Sequence, residues 1–164
     1  SLDEGPVFDV SEIEICDSDN RTSLEEKLVT TAKSNIVDVI QKISNGLKPI
    51  PQGDDNVSYC RKITKEDGRI NFEETAKEIF NKYRAFSGWP GTYFQYKDTT
   101  IKIHGMHIIK LDNDDTPGSI LDVTKDGIHI KVIDSVIVIT HLQFPGKKII
   151  NSSDIYNSYK DFFV

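Results

Sequence analysis

Apolar and polar residues alternate from Val10 to Ile15, and this two-residue period predicts a strand over residues 6–15 with one solvated face. After a polar turn at 16–20 the period lengthens: Leu24, Leu28, Ala32, Ile36, Ile40, Ile43 and Leu47 fall on one stripe, the pattern of an amphipathic helix. Two overlapping capping boxes, Thr22 with Glu25 and Ser23 with Glu26, signal its start, and Asn45-Gly46 its end. One strand cannot cover such a stripe, so this part of the chain needs a partner surface. Lys48 to Asn56 contains Pro49, Pro51 and Gly53, has no period, and reads as a linker.

A charged lead-in at 59–69 precedes a third pattern. Asn71-x-x-Glu74 forms a capping box, and Ala76, Ile79, Phe80 and Tyr83 recur at helical spacing behind it. Gly88-Trp89-Pro90-Gly91 breaks that helix, and Trp89 reads as a plug at the junction of helix and first strand, with stacking on a nucleic-acid base the alternative. Short alternating runs come next, at 92–96, 100–111, 119–123, 128–133 and 136–142. Lys97-Asp98 and Lys125-Asp126-Gly127 supply hairpin turns, and Gly105 marks a bulge or bend. A terminal helix begins at Ser152 or Ser153, with Ile155, Tyr156, Tyr159 and Phe162 on one face. The expected fold is mainly β with flanking helices: a five-stranded Greek-key barrel of the OB type, capped by the last helix.

Composition leaves this picture standing and removes some functions. Hydrophobic residues make up 37% and charged residues 28%, with no run apolar and long enough to span a bilayer. The chain opens on Ser-Leu-Asp-Glu without Met, basic region or apolar region, so it reads as an excised piece lacking a signal peptide. Cys16 and Cys60 stand far apart without ligand neighbours, which suits a reduced, cytoplasmic setting. Net charge is −6, unevenly placed: residues 1–60 hold 5 Lys+Arg against 12 Asp+Glu, and residues 61–164 hold 15 against 14. The second part therefore permits nucleic-acid binding without carrying the strongly basic mark of a dedicated binder. His104, His107, His129 and His141 are scattered over strands, and Asp112-x-Asp114 lacks the glycine and glutamate of a calcium loop, so no metal is expected.

The stretch from Tyr59 to Phe94 resembles the start of the C-terminal domain of methionyl-tRNA formyltransferases, whose pattern runs K-I-T-K-E-D-G-x-I-x-W, a helix, then I-R-A-F-x-P-W-P-G. Here Phe72 stands for the Trp, Tyr83 for an Ile, and Ser87-Gly88 for an Asn-Pro-like pair. Leu142-Gln143-Phe144-Pro145-Gly146-Lys147-Lys148 is similar to the family's L-Q-x-x-G-K-K, and Ser1 to Pro6 looks like its G-L-D-x-G-[DP]. The resemblance implies that residues 1–46 are a strand–helix remnant of a Rossmann-like catalytic domain, 47–58 a linker, and 59–164 an OB-like tRNA-binding domain.

The same resemblance implies a transferase moving a formyl group from 10-formyltetrahydrofolate to methionine on initiator tRNA, in translation initiation. Asp3 occupies the position of the family's catalytic aspartate, but the Asn and His that assist it are missing. The piece is thus expected to be inactive alone and to hold no cofactor. Arg61, Lys62, Lys65, Arg69, Arg84, Lys147 and Lys148 are the tRNA-facing candidates, since phosphate attraction accumulates over several cations. Each alone reads equally as a solvated surface cation, and Arg84 as a helix-end brace. Expected partners are initiator methionyl-tRNA and the missing N-terminal domain, with self-association of the exposed stub another outcome and no membrane involved. Rivals are the C-terminal domain of a sugar-nucleotide formyltransferase or formyltetrahydrofolate dehydrogenase, and a non-catalytic interaction module.

Overall fold

The computed structural model describes residues 4–53, 57–111 and 114–164, and the chain divides into two compact units between Lys62 and Ile63. In the first, helix α1 spans Arg21–Ser44. Its cap is Asn20, not Thr22 or Ser23: the Asn20 side chain accepts from Ser23 N, and Ser23 Oγ accepts from Asn20 N, both at 3.1 Å. Asp19 wins this position for Asn20. Its buried carboxylate accepts from Cys16 N at 2.7 Å, Ser23 Oγ at 2.8 Å and the Lys27 ammonium, which locks the chain entering the helix. At the far end Gly46, at φ +95°, lets Gly46 N reach Ile43 O and Leu47 N reach Lys42 O, so two orphan carbonyls are satisfied.

The strand expected over residues 6–15 does not form. A bridge joins Val7 to Ile50, with bonds of 2.9 and 2.8 Å, and among the described residues of this unit no neighbouring ladder extends it. α1 has no buried residue; Leu28, Ile36 and Ile40 are each more than half exposed, at 51%, 53% and 54%. The apolar stripe read from the sequence is therefore present but uncovered.

In the second unit a 3-10 turn at Glu66–Gly68 leads to α2, Ala76–Ala85. The capping box lies four residues beyond the one expected. Thr75 Oγ1 accepts from Glu78 N, and the Glu78 carboxyl accepts from Thr75 Oγ1 at 2.6 Å and from Thr75 N at 2.9 Å, which together, the hydroxyl first, hold it below its usual range. A tertiary contact fixes this start, since Ala76 N donates to Asp134 Oδ1 at 2.8 Å. Asn71 instead makes a turn, and Glu74 pairs with Lys82 at 3.0 Å.

The strands are β1 Thr92–Tyr96, β2 Thr99–Ile109, β3 Ile120–Thr124, β4 Gly127–Lys131, β5 Val136–Gln143 and β6 Ile150–Asn151, followed by α3, Ser152–Phe163. All pair antiparallel in the order β1-β2-β5-β4-β3, with β6 added to β5. Gly105 is the expected bulge: the β2–β5 register shifts on both sides of it, and a Cβ there would meet Thr140 Oγ1 at 2.5 Å. The expected closed five-stranded barrel is corrected to an open six-stranded sheet. No ladder among the described residues returns β3 to β1. The outer edge of β1 instead meets residues 69–70, with Ile70 N donating to Tyr93 O at 2.8 Å, and β3 lies beneath α3. Ile79, Phe94, Ile101, Ile137, Ile139, Ile155 and Phe163 form the core between sheet and helices.

Candidate nucleic-acid interface

The connection from β5 to β6 (residues 144–149) builds the most defined cationic feature. Gly146 adopts φ +70°, Lys147 N donates to Phe144 O at 3.1 Å, and Gln143 Nε2 donates to Lys147 O at 2.7 Å, closing a tight turn. Beneath it the Phe144 and Tyr159 rings stack with centroids 4.7 Å apart. The Lys147 ammonium donates to Tyr159 Oη at 3.2 Å and lies 5.2 Å from the Tyr159 centroid and 5.7 Å from that of Phe144. Ring faces attract cations by about 0.5–1 kcal/mol at an exposed position, so this arrangement of the lysine is favoured over those free in solvent. Lys148, next along the turn, is exposed.

The aromatic cluster continues. Phe162 touches Phe144 at 5.5 Å and Tyr96 at 5.6 Å, edge to face. Lys97 lies over the Tyr96 and Phe162 rings and donates to Phe162 O at 2.8 Å. Lys160 lies 4.9 Å from the Tyr156 centroid. Lys97 and Lys147 thus lie against aromatic residues of α3, and Lys160 lies on the helix itself. Sequence reasoning missed Lys97 and Lys160. The signals available were the adjacency of Tyr96 with Lys97 and the four-residue spacing of Tyr156 and Lys160, which puts them on one helix face.

The other candidates sit elsewhere. Lys65 and Arg69 flank the Glu66–Gly68 turn and are exposed, with Arg69 opening on a cleft of about 530 Å³ that Glu73 and Glu74 also line. Arg84 ends α2, where its Nε donates to Asn81 Oδ1 at 3.0 Å. Arg61 and Lys62 are exposed and belong to the first unit, and Arg61 Nη1 donates to Lys62 O at 3.2 Å. The structure therefore joins Lys147 and Lys148 on one turn and distributes the remaining cations over other elements. Asp3 lies outside the described residues. Among those described, no cluster of three metal-ligating side chains occurs, and no helix is long and apolar enough to cross a membrane.

Trp89 does not plug the helix–strand junction. It is 49% exposed, while Phe86 and Pro90 are half-buried beside it and Gly91 N donates to Phe86 O at 3.0 Å to tie the turn. Burial of the Tyr83 ring pushes its phenol pKa up, and its hydroxyl donates to His104 O at 3.1 Å.

Comparison with known proteins places this arrangement. Residues 62–160 match the family model described as formyl transferase, C-terminal domain. The chain is 35% identical to a methionyl-tRNA formyltransferase of Francisella philomiragia, over 95% of this chain and 49% of that protein. It is 38% identical to one of Finegoldia magna, over 95% of this chain and 51% of the other. The chain thus spans about half the length of the curated relatives it matches. Among solved structures, HypX from Aquifex aeolicus superposes with a TM-score of 0.65 at 18% identity, over 96% of this chain and 29% of that one. An N-formyltransferase from Helicobacter canadensis, solved with folinic acid and dTDP-3-aminofucose, superposes at 0.57 and 23% identity, over 85% of this chain and 51% of that one.

Proposed function

This chain belongs to the formyltransferase C-terminal domain family, and on that footing we propose that its second unit binds and positions initiator methionyl-tRNA for a catalytic half it does not itself contain. The observation that carries this reading is the 144–149 turn. Lys147 rests on the stacked Phe144 and Tyr159 rings and Lys148 is exposed beside it, so one tight turn presents two positive charges. A cation already resting on ring faces loses less freedom on meeting a phosphate than one free in solvent, and each phosphate neutralised releases counterions. Lys97 and Lys160 add charge at α3; Lys65, Arg69 and Arg84 on this unit, and Arg61 and Lys62 on the first, stay separate candidates for phosphate contact.

The uncovered apolar face of α1 supports the other half of the proposal. A 24-residue helix without a buried side chain is not stable by propensity alone. The half of the relatives' length absent from this chain supplies its cover, so that residues 1–46 complete a Rossmann-like domain. That absent half would bring the Asn and His beside Asp3 and bind 10-formyltetrahydrofolate as formyl donor. The present chain is then catalytically silent, and the whole protein is a cytoplasmic enzyme of translation initiation. A second reading, an interaction module that only braces its partner domain, draws on the near balance of 15 Lys+Arg against 14 Asp+Glu in residues 61–164. Binding of initiator methionyl-tRNA to the full chain separates the two. The RNA reading expects binding that weakens with salt and weakens again, with a shallower salt dependence, when Lys147 and Lys148 become Ala; the module reading expects none.

A further inference from the structure

The irregular stretch of the β2–β5 ladder turns two histidines outward. Ile103 pairs with Leu142 and Met106 with Ile139, and all four are buried in the core. His104-Gly105 and Thr140-His141, the residues each strand carries between those pairs, are left for the outer face. A Cβ at Gly105 would come within 2.5 Å of Thr140 Oγ1 and 2.7 Å of His141 Nδ1, so those side chains lie over the glycine. Lys102 pairs with Gln143 one step along and shares the outer face, since its neighbours Ile101 and Ile103 are buried. Lys102, His104 and His141 are all exposed.

Gln143 joins this face to the 144–149 turn. Its Nε2 donates to Lys147 O at 2.7 Å, which directs its Oε1 to His104 Nε2 at 3.1 Å. An amide oxygen only accepts, so His104 Nε2 carries a hydrogen and Nδ1 is where a second proton adds. The Thr140 hydroxyl, 3.0 Å from His141 Nδ1, donates to the neutral ring and accepts from the charged one. Both imidazoles therefore keep these hydrogen bonds in either charge state. The surrounding elements bring few opposing charges. Lys125 and Asp126 form the hairpin turn before β4, and Asp154 stands in the first turn of α3, beyond the Asn151 that pairs with His141. β1 sets Tyr93 opposite Lys102, and α2 sets the Tyr83 hydroxyl on the His104 carbonyl. With Lys102, Lys147 and Lys148, lysines already outnumber the two aspartates here, and protonated histidines add to that excess.

We propose that the RNA surface continues from the 144–149 turn onto this face, where Lys102, His104 and His141 meet the phosphate backbone, and that the two histidines strengthen RNA binding as pH falls. Histidine changes its charge between about pH 5 and 8, and each phosphate met by an added cation releases counterions. The inference deepens the RNA-binding reading and rests on it for its partner.

The test is binding of labelled initiator tRNA to the full chain, followed by anisotropy over a salt series at pH 8 and at pH 5.5. The slope of log K against log salt is expected to steepen by about 1.4–1.8 at the lower pH, two phosphate contacts at about 0.7–0.9 each. Replacing both histidines, His104→Gln with His141→Gln, should abolish that steepening although His107 and His129 remain. Lys102→Ala should flatten the slope by about 0.7–0.9 at both pH values and keep the difference between them. Thermal melts at both pH values establish that each variant is folded. Salt-dependent binding by the parent chain that is the same at both pH values overturns the proposal and leaves the RNA reading standing, as does a pH effect that survives the double histidine substitution. No salt-dependent binding at either pH sinks the RNA reading and the proposal with it.

Discussion

Replacing Phe163 with Ala is the sharpest test of how α3 holds the cationic edge together. Phe163 is 2% exposed, with its ring 5.4 Å from Tyr96, 5.0 Å from Phe162 and 6.2 Å from Phe144, and its carbonyl accepts from Tyr96 Oη at 3.0 Å. Truncating a fully buried phenylalanine costs about 3–5 kcal/mol, transfer and residual cavity together. A domain of this size loses about 2 kcal/mol of stability per molar urea. The unfolding midpoint of the second unit, followed through Trp89, is therefore expected to fall by about 1.5–2.5 M. Lys148→Ala, on the exposed turn, serves as the control and should stay within about 0.5 kcal/mol of the parent. The two effects connect, because Tyr159 of α3 anchors the Lys147 ammonium. Under conditions where Phe163→Ala is still folded, RNA binding should weaken as that anchor loosens. A midpoint drop below about 0.5 M would mean that α3 is not docked as described, and the fixed-cation argument would go with it.

Gly127→Ala should destabilise the β3–β4 hairpin strongly: at φ +145° its Cβ would overlap the Ile139 carbonyl oxygen, and about 2–4 kcal/mol is expected in a thermal melt. Gly146→Ala, at φ +70° in open space, should cost only about 1 kcal/mol, so equal losses would refute the steric account. Asp19 is held at about 2, first by the hydrogen bond from Lys27, then by those from Cys16 N and Ser23. Its depressed folded value means that its contribution to stability is present above the ordinary 3.8 and lost as pH falls through about 2. A carbon-detected titration of the carboxyl should give that midpoint, and a value near 3.8 would show the cap network to be loose.

Elements specified by local period and turn chemistry were legible in the sequence. The five long strands, the Gly105 bulge, both hairpin turns and all three helices follow from alternation, glycine and helical spacing. Features decided by tertiary contact were not. Asn71 and Thr75 each begin a capping-box pattern, and the Asp134 carboxylate at Ala76 N and the Lys82 ammonium on Glu74 favour the second. The strand at 6–15 has the right alternation, but no ladder is there to receive it among the described residues. Five strands suited a barrel, yet closure depends on what meets the β1 and β3 edges, which no hydropathy pattern encodes. At the site, the Lys147-Lys148 turn was visible as a motif, whereas the aromatic seats of Lys97 and Lys147 and the exposure of Trp89 depend on packing between elements distant in sequence.

The measurement that bears most directly on the central claim is the salt dependence of initiator methionyl-tRNA binding by the full chain, before and after Lys147 and Lys148 are both replaced by Ala. Each phosphate contact contributes about 0.7–0.9 to the slope of log K against log salt, so the double substitution should flatten that slope by about 1.4–1.8. A slope unchanged by the substitution, or no salt-dependent binding in the parent chain, would contradict the assignment of this turn to RNA.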